Sequence, residues 1–269
     1  MSATTGFLLG KFLPPHRGHQ YLIDVARQHV DHLTVLVCTV AREPIPGHLR
    51  YRWMCEAFPG VCLVHHTDEI PQTPDEHPRF WEIWQASIRR HVPWRIDYVF
   101  ASEDYGWRLA EVLGAQYIPV DPARTNVPVS GRAIRADPMR HWDDLLPPVR
   151  PYYLRRVGVL GPGAEDLAVR LAAQFRTVCL RSGSAPAAAE AALARQANRI
   201  LICAVEAGPA SHPYDLYLFT GAAAEHEAAP ERPFRRLSGS GEERLRQAGE
   251  AVEQLIAAPP ASGSTFTPY

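Results

Sequence analysis

Phe7-Leu8-Leu9-Gly10-Lys11-Phe12-Leu13-Pro14-Pro15-His16-Arg17-Gly18-His19 is the stretch that decides how the chain reads. A short apolar run (7–9) ends at a glycine, a proline pair follows, and a helical pattern begins near residue 18. Tyr21, Leu22, Val25, Ala26 and His29 then recur at i, i+3/i+4 spacing to about residue 30. This is a strand handing over to a helix. His16 and His19, three apart at a helix start, project from one face. Gly18 between them lets a ligand approach the backbone, and a helix N-terminus offers free N–H groups to an anion. With the ammonium of Lys11, these features predict a phosphate site. The plainer alternative is a pair of surface histidines after a Pro-Pro turn.

Lys11 carries weight of its own, because it is the only lysine among the 28 basic residues. Solvated positions tolerate a drift from Lys to Arg. A lone surviving lysine marks a place where a compact ammonium is needed and a planar guanidinium does not fit.

Outward from this junction the pattern repeats. Residues 32–40 are a β-branched run suited to a buried parallel strand. Helical patterns at 50–58, 78–91 and 104–113 alternate with strand-like runs at 61–65, 97–102 and 116–120. Five β/α units in succession predict an α/β fold with a doubly wound parallel sheet. Ligands gather at the carboxyl ends of such strands, where Gly10, Val40 and Ser102 lie. A proline-rich segment at 147–151 should stop the preceding helix and divide a first domain, 1–150, from a second, 151–258. The second reads as a smaller α/β domain: strands at 156–160, 177–180, 199–205 and 215–219, and helices at 165–175, 185–196 and 242–257. The polar stretch up to about residue 241 reads as loop, and 259–269 as a disordered tail.

Composition narrows the functional classes. The 269 residues are 46% hydrophobic and 21% charged, enough for a packed core. Lys+Arg 28 against Asp+Glu 29 argues against a protein that coats nucleic acid or an anionic membrane. No apolar stretch approaches the roughly 18–20 residues of a membrane span, and the N-terminus lacks the features of an export signal. Cys38, Cys55, Cys62, Cys179 and Cys203 form no C-x-x-C pair. They read as buried thiols of a reduced compartment, so a cytoplasmic protein without a metal site is expected.

A second motif, Ser130-Gly131-Arg132-Ala133-Ile134-Arg135, places a Ser at a helix N-cap and an arginine fork one turn in, able to hold two phosphate oxygens. G-K-F-x-P-x-H-x-G-H, followed about 110 residues later by S-G-x-x-I-R, resembles the signature pair of the HxGH nucleotidyltransferase superfamily. Leu49-Arg50-Tyr51-Arg52-Trp53, the helix carrying Arg79-Phe80-Trp81-Glu82-Ile83-Trp84, the turn Ser102-Glu103-Asp104-Tyr105-Gly106 and Val120-Asp121-Pro122-Ala123-Arg124-Thr125 extend the likeness. So does the run from Arg135 to Tyr153. Their order is similar to that in bifunctional bacterial nicotinamide-nucleotide adenylyltransferase/ribosylnicotinamide kinases, over residues 5–160.

The resemblance implies a Rossmann-like nucleotidyltransferase making NAD and pyrophosphate from ATP and nicotinamide mononucleotide or its acid, with Mg2+ bound through the ATP phosphates. By the same resemblance Lys11, His16 and His19 would cradle the reacting phosphoryl group, beside the Gly10 N–H, Phe12 and Gly18. Ser130, Gly131 and Arg135 would hold the β- and γ-phosphates. Ser102, Asp121 and Arg124 would frame the nucleoside. Arg132 stands where relatives carry Thr, and either adds charge to the triphosphate site or faces solvent. Arg42 is a candidate contact for a substrate phosphate or a solvated loop residue. Trp81 and Trp84 either stack on a pyridine ring or pack in the core.

The second half resembles a degenerate P-loop kinase. Gly158-Val159-Leu160-Gly161-Pro162-Gly163-Ala164-Glu165-Asp166 lacks the lysine and the Ser/Thr of a phosphate-binding loop and puts two acids at the helix start. Strand 200–205 keeps only Glu206 after it. We expect a vestigial fold retained for packing, for homo-oligomer formation or for covering the first site. Two alternatives remain: a relative recruited to another substrate, such as a cytidylyltransferase for a small phosphate or phosphonate, and a nucleotide-sensing regulator. The strand pattern starts within five or six residues of Met1, so no preceding helix-turn-helix is expected, and the intact catalytic set disfavours a pure sensor.

Overall fold

In a computed structural model of the chain, residues 3–181, 187–205, 214–221 and 233–259 are described. Glu206 lies outside them, as does the expected tail from residue 260 on. The first strand, β1 (Thr5–Gly10), is followed by α1 (Arg17–His29), β2 (His32–Cys38), α2 (Gly47–Ala57) and β3 (Cys62–His66). Then come α3 (Phe80–His91), β4 (Tyr98–Ala101), α4 (Tyr105–Leu113), β5 (Gln116–Pro119) and α5 (Gly131–Ala136). The five strands form one sheet in the order β3-β2-β1-β4-β5, every neighbouring pair parallel. β2 is buried from Leu33 to Cys38, as a strand covered on both faces must be. Alternate residues Phe7, Leu36, Cys38 and Val99 meet Trp84 and Ile88 of α3 and Leu109 and Leu113 of α4 in one cluster. The chain winds from β1 outward to β3, then crosses back to β4 on the other side of β1. That reversal opens a crevice beyond the carboxyl ends of β1 and β4.

The chain divides into two compact units, Met1–Arg135 with Asp143–Pro148, and Ala136–Trp142 with Val149–Tyr269. The second contains α6 (Arg150–Tyr153), β6 (Arg155–Leu160), α7 (Ala164–Gln174), β7 (Cys179–Leu180), α8 (Ala187–Gln196), β8 (Ile200–Ala204), β9 (Leu216–Phe219), β10 (Phe234–Arg236) and α9 (Gly241–Ala257). Its sheet is also wholly parallel, in the order β10-β9-β6-β8-β7. Val157, Val159, Ile200, Ile202, Leu216 and Leu218, two apart on their strands, pack against Leu167 and Leu171 of α7 and Val252 of α9.

Three expectations are corrected. The polar stretch before residue 241 contains β10, a three-residue edge strand too short for an alternating pattern to show. The prolines near 150 start a helix instead of ending one: Pro151 sits in the first turn of α6, where its missing N–H costs nothing. Not all the thiols are buried, for Cys55 and Cys62 are exposed while Cys38 and Cys203 are enclosed. Among the described residues no helix is long and apolar enough to cross a membrane.

Candidate active site

A cavity of about 710 Å³ opens at the crevice beyond β1 and β4. Every expected site residue except Arg42 lines it: Gly10, Lys11, Phe12, His16, Gly18 and His19 from the first junction, Trp81 and Trp84 from α3, Ser102 after β4, Asp121 and Arg124 after β5, and Ser130, Gly131, Arg132 and Arg135 at α5. Arg42 is exposed and paired with Glu76 at 3.6 Å.

The two histidines cap their own helix. His16 is the N-cap of α1; its Nδ1 accepts the Gly18 N–H at 3.1 Å, while His19 Nδ1 accepts the His16 N–H at 3.2 Å. This capping box uses N–H groups that the sequence reading left free for an anion. It also fixes the tautomers. A ring nitrogen that accepts from the backbone carries no proton, so each neutral ring is protonated at Nε2. Burial pushes the His16 pKa down to about 4, with the Arg124 charge adding to the effect and Asp144 opposing it. Burial, then His16 and Arg124, drives His19 well below the ordinary range. At neutral pH the pair are therefore two neutral Nε2–H donors, with ring centroids 3.8 Å apart.

The loop between β1 and α1 is held from two sides. The Arg135 Nη1–H donates to Leu13 O, and Ser130 Oγ caps α5 by accepting the Ala133 N–H at 3.1 Å. From the other side comes Arg50, a fully buried arginine to which the sequence reading gave no role. Its guanidinium donates to Lys11 O, to Cys38 O at 3.3 Å and to Ile45 O at 3.1 Å, and it pairs with Glu43. Glu43 in turn lies 3.1 Å from the Lys11 ammonium. Burial pushes the Glu43 carboxyl up, but the Val40 N–H and the charges of Arg50 and Lys11 outweigh it and hold the pKa below its usual value. The signal for Arg50 was present in the basic-aromatic run at 49–53; nothing pointed to Glu43.

At the opposite end Trp84 is nearly enclosed. Its Nε1–H donates to Pro71 O at 2.8 Å, and its ring stacks on His66 at 5.4 Å. Trp81 is half-buried and meets Phe80 edge-on. Behind Trp84, His66, Asp68 and His91 bring ligand-type atoms within 4.8 Å of one another. Asp68 already accepts from Ser87 Oγ at 2.5 Å and from Arg90 at 2.7 Å, and His66 Nε2 faces Ser87 Oγ at 2.7 Å. These bonds make the group a hydrogen-bonded support for the aromatic wall. Asp121 accepts from Thr125, Asn126 and Val127 and organises its own turn, while Arg124 closes on Glu103 at 3.1 Å.

No protein-family model matches the chain. Two curated proteins do: the trifunctional NAD biosynthesis/regulator protein NadR of Escherichia coli, 29% identical over 195 residues, and that of Salmonella typhimurium, 29% over 194. The chain is homologous to NadR. The match takes in 65% and 64% of this chain and 47% of each relative, so the chain spans about half the length of the curated NadR proteins. Among solved structures, a NadR protein in complex with NR superposes with a TM-score of 0.71 at 17% identity, covering 95% of this chain and 96% of that one. A NadR protein in complex with NAD and AMP-PNP gives 0.72, also at 17%, covering 96% and 97%. Both units thus share the fold of these solved NadR structures.

In the second unit the loop after β6 is tied to its own sheet. Thr220 Oγ1 lies 3.0 Å from Leu160 O and 2.8 Å from Pro162 O. Glu165 and Asp166 stand exposed in the first turn of α7.

Proposed function

We propose that the first unit transfers the adenylyl group of ATP to nicotinamide mononucleotide, or to its acid, giving NAD and pyrophosphate. The observation that carries this reading is the convergence at Leu13: the β1–α1 loop with its two Nε2–H donors, and α5 with Ser130 and Arg135, meet around one cavity. Homology to NadR supports it, as do the NAD and AMP-PNP bound by a structurally similar NadR.

In this reaction a phosphate oxygen of the mononucleotide attacks the α-phosphorus, and the bond to the departing pyrophosphate breaks. No covalent enzyme intermediate is needed, so the protein aligns the partners and stabilises developing charge. His16 and His19 donate Nε2–H bonds to the α-phosphoryl oxygens, and Lys11 adds a compact charge. Ser130 and Arg135 hold the β- and γ-phosphates, with Arg132 at the exposed rim. Ser102, Asp121 and Arg124 frame the nucleoside, and Trp81 with Trp84 forms the wall for the pyridine ring.

Mg2+, when bound through the ATP phosphates, would neutralise the leaving group. The cavity's carboxylates fit that mode, since Asp121 is consumed by its turn and Glu103 by Arg124. The test is a pyrophosphate-release screen crossing ATP and CTP with nicotinamide mononucleotide, its acid and small phosphonates. NAD or its acid form is the expected product. Turnover of CTP with a phosphonate and none with either pyridine mononucleotide would replace this reading.

A further inference from the structure

Glu43 is an unexpected neighbour for a phosphate site, because a buried carboxylate repels the anion that the site is built to receive. Its Oε2 is committed, accepting the Val40 N–H at 3.1 Å and pairing with Arg50. Its Oε1 is buried and accepts no hydrogen bond of good geometry. That oxygen faces Lys11 Nζ at 3.1 Å, while the lysine side chain is about half exposed on the cavity. Arg50 cannot follow a ligand, because three more of its N–H groups are fixed on carbonyls. The result is one immobile ion pair with a second cation attached to its open side. An incoming phosphate must compete with Glu43 for that cation.

We propose that Glu43 is a positioning residue that aims Lys11 and moderates its charge toward the bound triphosphate and pyrophosphate, reserving the stronger attraction for the charge that builds during transfer. The inference rests on reading the cavity as a triphosphate site. It makes a prediction of opposite sign to a structural role. Removing a structural contact weakens binding; removing this carboxylate strengthens ground-state binding and slows turnover.

The experiment uses the full chain, calorimetric titration with inorganic pyrophosphate, and steady-state kinetics. In Glu43→Gln, pyrophosphate should bind at least ~3-fold tighter and kcat should fall at least ~10-fold. Lys11→Met should lose most of the pyrophosphate affinity, and the double variant should show no tightening, because the effect passes through the lysine. Glu43→Asp keeps a carboxylate for Arg50 and draws it back from Lys11, so a milder tightening should appear even if Glu43→Gln folds poorly. Weaker pyrophosphate binding in both Glu43 variants, or the same tightening without Lys11, overturns the inference alone. A wild-type protein that binds neither pyrophosphate nor ATP overturns the triphosphate reading, and the inference with it.

Discussion

Gly131→Ala is a small change whose outcome tests the convergence at Leu13. Gly131 is the first residue of α5, where alanine is intrinsically better than glycine by ~1 kcal/mol. On propensity alone the variant should be more stable. A Cβ at Gly131, however, would lie more than half an ångström inside 3.0 Å of Leu13 O, a distance that real Cβ atoms essentially never breach, and 3.1 Å from the carbonyl carbon. The obstacle is backbone, so the loop carrying Lys11 to His19 or the start of α5 must move. Overpacking of this kind costs ~1–3 kcal/mol, which outweighs the propensity gain. Displacement of reacting groups by something near 1 Å costs up to ~10²-fold in rate. We expect a Tm lower by up to about 8 °C on the scale of a unit this size, and kcat lower by ~10- to 100-fold with ATP binding less affected. Differential scanning fluorimetry and a coupled pyrophosphate assay read both. A variant that is more stable and turns over within twofold of wild type would show that α5 and the loop do not meet as described.

His19→Ala should lower kcat by at least ~10² while ATP affinity changes only a few-fold, since its donor acts mainly on transition-state charge; matched losses in Kd and kcat would reassign it to ground-state binding. Lys11→Arg should be damaging in the same assay, and full activity would make the lone lysine a coincidence. Stability should fall on acidification between pH ~6.5 and ~4, because the fold holds His16 neutral to about pH 4 and the unfolded chain takes up the proton first. That contribution, of order 3 kcal/mol, is fully present above pH ~6.5; a urea midpoint unchanged from pH 7 to 4.5 would contradict it. Finally, the chain should form no mononucleotide from nicotinamide riboside and ATP, because the loop after β6 has neither a lysine nor a Ser/Thr at the following helix start; product in a riboside phosphorylation assay would refute the vestigial reading.

Both sheets were legible from β-branched runs spaced by amphipathic helices, a pattern set by burial on two faces. One edge strand escaped: β10 pairs through backbone and shows no pattern in three residues. At the site, residues such as His16 and Arg135 were visible because they stand in motifs of fixed spacing. Arg50 and Glu43 were not assigned roles, since sequence does not tell a buried arginine bound to three carbonyls from a solvated one. The protonation of the histidines was not legible either: burial and backbone hydrogen bonds, which spacing does not reveal, make the rings neutral donors.

The capping of α1 by its own histidines explains the wording of the motif. An N-cap and its reciprocal partner at N3 are necessarily three residues apart, so the interval between His16 and His19 is fixed by helix geometry before any ligand is considered. The residue at N2 has no more freedom: a Cβ on Gly18 would lie 2.9 Å from His16 Cε1 and push the ring off the N–H it accepts. H-x-G-H is thus a backbone device. Its two donors are oriented by peptide groups and not by hydrogen bonds to a carboxylate. A change of spacing, or a side chain at the glycine, would leave the histidines in place by name while releasing their tautomers.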